Sequence, residues 1–162
     1  MDNEIRAFVL VPSNDLYNEF LDKIMGKDTF MGIDAPGIIA CISIDGGLDT
    51  FRGWCKKVIG TDEITSAPYS IGGRDYYLTA DTNSFDTDDG IPSAIKEPSG
   101  TALTVGNIVI TKCTDGCDES SLTDDDVRNL LNNVATYHSK DGDSTTFRAV
   151  SVHAGNKRYE KD

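Results

Sequence analysis

The sequence predicts an α+β fold: a mixed or antiparallel sheet packed by about three helices, in the order β-α-β-α-β-β-α-β. Three observations predict it. Short apolar, β-branched runs recur along the chain as IRAFVLV, IIACISI and TALTVGNIVITK. Between them, apolar residues fall at helical spacing, as in Leu16, Phe20 and Ile24. Near the C-terminal third, Thr123-Asp124-Asp125-Asp126 reads as a capping box at a helix start.

Ile5–Val11 is the first strand, ended by Pro12. Ser13 or Asn14 caps a helix that carries Leu16, Phe20 and Ile24 and stops at Gly26, and Lys27–Gly37 is a loop. Ile38–Ile44 is nearly all apolar, which predicts a strand covered on both faces. After the Asp45-Gly46-Gly47 turn, Leu48, Phe51, Trp54, Cys55, Val58 and Ile59 mark one stripe of a helix closed by Gly60, with Trp54 as a core anchor. Ile64–Tyr69 is a candidate short strand beyond the five in that order, Ile71-Gly72-Gly73 is a turn, and Asp75–Ala80 is a strand. Asp81–Gly100 has no period, carries Gly90, Pro92, Pro98 and Gly100, and reads as irregular. Thr101–Lys112 reads as one strand with a bulge or close backbone contact at Gly106. A loop over 114–121 leads to a helix whose buried face is Val127, Leu130, Leu131 and Val134, and whose end is followed by His138. Thr145–Val152, with His153 at its end, is the last strand. The expected organisation is a single domain over 1–156, with the βα unit 1–37 as an appendage and 157–162 as a frayed tail.

Charge is unevenly spread. Residues 81–126 hold eleven acids and two bases (Lys96 and Lys112), a net −9 of the chain's −12. Such a field repels nucleic acid and anionic membranes, so the expected partner is basic. No apolar stretch has the length to span a bilayer. The N-terminal segment has acids ahead of its apolar run and no small-residue cleavage site, so a cytoplasmic location is expected. There, Cys41, Cys55, Cys113 and Cys117 would be free thiols. The Cys113/Cys117 pair has no matching zinc-module spacing, and Cys41 and Cys55 read as small core residues.

Catalytic motifs are incomplete. Asp81, Asn83, Asp86, Asp88 and Asp89 resemble a calcium loop, but the sixth residue from Asp81 is Asp86 rather than Gly and the twelfth is Pro92 rather than Glu. Asp45-Gly46-Gly47 lies between a strand and a helix, but it lacks both dinucleotide and P-loop spacing. His138 and His153 have no nucleophile linked to them by spacing. No cofactor and no resident metal are therefore expected.

Three blocks within residues 38–131 resemble an uncharacterised family of small domains carried by phages and plasmids. GLDTFRGWCKKVIGTDEI is similar to that family's short helix, which ends in Gly before a strand. DYYLTADTNSFDTDDGIPSAI is similar to its strand, acidic loop and Gly-hydrophobic-Pro step. GTALTVGNIVITKCTDGCDESSLTDDDVRNLL is similar to its strand with internal Val-Gly, followed by an acidic loop and a Ser-Leu-Thr-Asp helix start. The resemblance implies a mobile-element gene product and supplies no catalytic residues.

Charge and resemblance together set the functional expectation: an acidic, non-enzymatic inhibitor, anti-restriction or anti-CRISPR-like. It would mimic nucleic acid and bind a basic host nuclease or another nucleic-acid-binding protein. Asp81, Asp86, Asp88, Asp89, Asp115, Asp118, Glu119, Asp124 and Asp125 would present the charge, with Phe85 and Ile91 as apolar anchors. A homodimer is compatible with this reading, and direct nucleic-acid binding is not. The alternatives are a small metal-dependent enzyme acting on a nucleotide, a virion structural or assembly protein, and plain acidity for solubility.

Overall fold

The computed structural model describes residues 4–13, 37–87, 89–97, 99–113, 120–138 and 146–153. The helix expected around Leu16, Phe20 and Ile24, the loop 27–36, and Asp88, Asp115, Cys117, Asp118, Glu119 and the tail 157–162 lie outside the described residues. In chain order the elements are β1 (Ile5–Val11), β2 (Ile38–Ile44), α1 (Gly47–Ile59), β3 (Ile64–Ile71), β4 (Arg74–Asp81), β5 (Pro92–Glu97), β6 (Ala102–Val105), β7 (Ile108–Lys112), α2 (Asp124–Asn132), β8 (Val134–His138) and β9 (Thr146–His153). The class is α+β, as expected. The described residues form nine strands and two helices, so the anticipated order gains strands after β4 and around α2.

All nine strands join in one mixed sheet, ordered β2-β1-β7-β4-β3-β9-β5-β6, with β8 beside β9. Every pairing is antiparallel except β5 with β9. β1 lies between β2 and β7, with Phe8 opposite both Cys41 and Ile110. That central position explains its unbroken apolar run: Ala7, Val9 and Val11 face one core, while Phe8 and Leu10 face the other. The sheet also curls. Beyond β5, β6 returns to the chain just past β4, where Phe85 bridges Thr104 and the Asp86 N–H donates to the Leu103 carbonyl at 2.8 Å. A ring of β4, β3, β9, β5 and β6 thereby encloses Tyr76, Leu78, Ala94, Leu103 and Val150.

Helix α1 covers one face of β1, β2 and β7 through Phe51, Cys55 and Val58, spaced four and three apart. Trp54 is half-buried against this cluster, with its ring 6.0 Å from that of Phe51. The left-handed Gly60 (φ 96°) ends the helix and returns its N–H to the Lys56 carbonyl at 2.8 Å. Helix α2 buries Leu130, with Val127 beside it, in the other core, so the two helices pack on opposite faces of β1 and β7.

Several expectations are corrected. β2 is an edge strand, buried only over Ile38–Ala40, and Cys41 is exposed rather than a core residue. The segment read as irregular contains β5, because Ala94–Glu97 pairs with Val150–His153 from a distant strand. Pro92 is tolerated as its first residue. Thr101–Lys112 is two strands rather than one. At Gly106 (φ 83°) the chain leaves β5 as partner and, from Ile108, joins β1 and β4. Helix α2 stops at Asn132, so Val134 starts β8 and His138 ends it, with its Nδ1 3.1 Å from the Thr146 hydroxyl. Leu131 is 40% exposed and not part of the helix's buried face. The β-branched and aromatic VATYH stretch gains more from pairing with β9 than from prolonging a helix.

Candidate functional site

The acidic end of the sheet is built where β4 runs out. The Asp81 side chain accepts the Asn83 N–H at 2.9 Å, and its carbonyl accepts the Ser84 hydroxyl at 2.7 Å, winding Thr82–Ser84 into a 3-10 turn. Phe85 packs on the core and bridges β6, so it is a structural residue rather than a free anchor. Asp86 has a left-handed backbone (φ 55°), which Asp tolerates better than most residues, and its carboxylate meets Lys96 Nζ at 2.8 Å. Beside that pair, burial raises the Tyr69 phenol pKa; Asp86 adds to the shift and Lys96 opposes it. The Asp89 N–H donates to the Thr87 hydroxyl at 3.2 Å, and the Gly106 N–H donates to the Ile91 carbonyl at 2.9 Å.

These turns surround an open cleft of about 360 Å³. Ile59, Ile91 and Val105 form apolar parts of its wall, Asp81 and Asp89 bring carboxylates to it, and Asn107 contributes an amide. Among the described residues neither Asp81 nor Asp89 has an ion-pair partner. Asp62 and Glu63 lie close by: Ile64 pairs with Asp81, and the Thr82 N–H donates to the Glu63 carbonyl at 2.9 Å. The C-terminus of α1, the negative end of the helix dipole, also reaches the cleft at Ile59. A second depression of about 380 Å³ is lined by Asp86, Thr87, Lys96, Thr101 and Ala102 and shares Thr87 with the first.

Asp124 and Asp125 are elsewhere. Asp124 is bound to Arg6 at 2.6 Å and Asp125 to Arg128 at 3.1 Å, both at the start of α2. The Asp124 contact raises the Arg6 pKa and lowers that of Asp124. Next to them, the buried Asp126 accepts the Thr123 N–H and hydroxyl (each 2.9 Å), Arg74 at 2.9 Å, and Lys112 Nζ at 3.0 and 3.1 Å. Burial alone would raise its pKa. The donors from Thr123, Lys112 and Arg74 outweigh that and hold the carboxyl well below the usual carboxylate range. This is the capping box the sequence showed, with a tertiary role added: it ties α2 to β4 and β7.

Arg74 and Asp81 are the two ends of β4, roughly 23 Å apart for an extended strand. The predicted binding acids that lie among the described residues therefore form two groups, Asp81, Asp86 and Asp89 at one end and Asp124 and Asp125 at the other. Ile91 lines the cleft as an apolar contact. Val105, Asp62 and Glu63 carry no site signal in the sequence, and Ile59 reads there only as part of a helix's apolar stripe. The only signal for Asn107 was its place directly after the glycine that interrupts an apolar strand pattern. Among the described residues, no three of His, Cys, Asp and Glu come together to hold a metal ion. No protein-family model, curated protein or solved structure matches this chain.

Proposed function

We propose that this protein is a phage or mobile-element inhibitor that binds a basic surface on a host nucleic-acid-binding protein, such as a defence nuclease, and occupies the place of nucleic acid there. The observation that carries the reading is the cleft at the end of β4. Two carboxylates, Asp81 and Asp89, line it without a described cation to neutralise them, and a helix C-terminus adds negative potential. With a net charge of −12 behind it, this end attracts cationic surfaces at long range and repels polyanions. The ion-paired Asp124 and Asp125 at the far end contribute to the overall field rather than to contact. The mobile-element setting comes from the resemblance over residues 38–131.

The test is capture of basic DNA-binding proteins from host lysate at low and high salt, followed by a DNA-binding assay on each captured protein with and without this chain. The reading expects salt-sensitive capture and loss of DNA binding. Reversing Asp86, Asp88 and Asp89 to Lys should abolish both. Equal inhibition by that triple variant would refute the reading.

A further inference from the structure

Asn107 is 8% exposed and lines the acidic cleft. Its Nδ2 donates to the Val58 carbonyl in the last turn of α1 at 2.9 Å. That contact fixes the orientation of the amide, because only the nitrogen end can donate to a carbonyl. Its Oδ1 is then left buried without a hydrogen-bond partner among the described residues. An unpaired buried carbonyl oxygen is costly, and a ligand that brings an N–H to it removes that cost. The surroundings specify the ligand's sign. Asp81 and Asp89 are on the same cleft, and Ile59 carries the helix's negative end to it. Lys56 and Lys57 occupy the same helical turn, but neither lines the cleft.

We infer that this cleft is a binding site for a guanidinium group, with Asn107 Oδ1 and the carboxylates of Asp81 and Asp89 as its acceptors. A guanidinium has several N–H donors in one plane, so a single group can serve an amide oxygen and carboxylates together. It is weakly hydrated and rides on an aliphatic stem, which suits the walls formed by Ile59, Ile91 and Val105. The cleft's volume and apolar walls fit an organic cation better than a bare metal ion, which wants a tight shell of oxygens. The same chemistry comes either from an arginine side chain of a protein partner or from a free guanidine compound. In the first case it deepens the proposed function, on whose basic partner it rests, by naming the side chain that seats in the cleft.

The experiment is a nuclear magnetic resonance titration of the full chain with N-acetyl-arginine methylamide, agmatine and calcium chloride at matched ionic strength. Saturable shifts at Gly90, Ile91, Gly106 and the Asn107 side-chain amide are expected with the arginine amide, with none at Asp124 or Asp125. Agmatine binding at least as tightly as the arginine amide would point to a free guanidine compound; weaker binding would point to a peptide arginine. Asp81→Asn with Asp89→Asn, which preserves shape and the turn cap, should weaken binding by at least about tenfold. Asn107→Leu should weaken it as well, and the isosteric Asp pair keeps the test valid if the leucine variant does not fold. Shifts with calcium alone, diffuse unsaturable shifts, or unchanged binding by the Asp pair would overturn the inference. Capture of a basic protein without cleft binding by the arginine amide would sink this inference alone. Cleft binding without any captured basic protein would sink the proposed function alone.

Discussion

Replacing Asp126 by Asn removes one charge and almost no volume, and its cost follows from the local geometry. Asp126 is fully buried and receives the Thr123 N–H and hydroxyl, Lys112 Nζ and Arg74. Each hydrogen bond to a charged group contributes roughly 1.5–3 kcal/mol. Asn keeps an oxygen for Thr123 but offers Lys112 no anion. Lys112 and Arg74 are partly exposed, so water recovers some of what they lose. The expected loss is about 3 kcal/mol at neutral pH, toward the lower end of the range for breaking a buried pair. Its pH dependence has a definite sign. The folded-state pKa lies below the unfolded value, so the stabilisation is complete above the ordinary carboxylate range, near about pH 4, and fades as acid protonates the folded protein. Urea unfolding of both proteins at neutral pH and near about pH 2 tests this, with the gap expected to shrink in acid. A deficit under about 1 kcal/mol at neutral pH, or one that acid leaves unchanged, would mean that Asp126 does not act as a buried anion held by Lys112 and Arg74.

Other outcomes test the fold. Leu130→Ala should cost about 2–5 kcal/mol and Leu131→Ala about 1 or less in chemical denaturation, because the first is fully buried and the second is 40% exposed; similar losses would contradict the helix register. Gly72→Ala should destabilise by about 1–3 kcal/mol in the same assay, since its φ is 58° and an added Cβ would collide with the Asn129 and Asn133 side chains. In the native protein, iodoacetamide should modify Cys41 rapidly and spare Cys55 until denaturant is added, as peptide mass spectrometry would show.

The elements that local pattern alone defines were legible in the sequence. β1, α1, the Gly72-Gly73 hairpin and the Thr123–Asp126 cap each follow from spacing or from a turn residue whose geometry is dictated nearby. What escaped depends on partners far along the chain. β5 becomes a strand through β9, more than fifty residues later, and its own composition argues against it. Gly106 reads as a bulge until β6 and β7 are seen to have different neighbours. Asp124 and Asp81 are both simply acidic in sequence; only the sheet shows one paired with Arg6 and the other facing a cleft about a strand's length away. Asn107 could not be found by type, because its significance is an oxygen that folding leaves without a hydrogen-bond partner among the described residues.

The most direct test compares the two acidic ends. Binding of an arginine-rich peptide would be measured by calorimetry for the parent chain, for Asp81→Asn with Asp89→Asn, and for Asp124→Asn with Asp125→Asn. Each double variant loses the same charge, so net attraction alone predicts equal weakening. A guanidinium seated in the cleft should give at least about tenfold loss for the cleft pair and little change for the helix pair. Equal losses, or a larger loss at the helix, would contradict it.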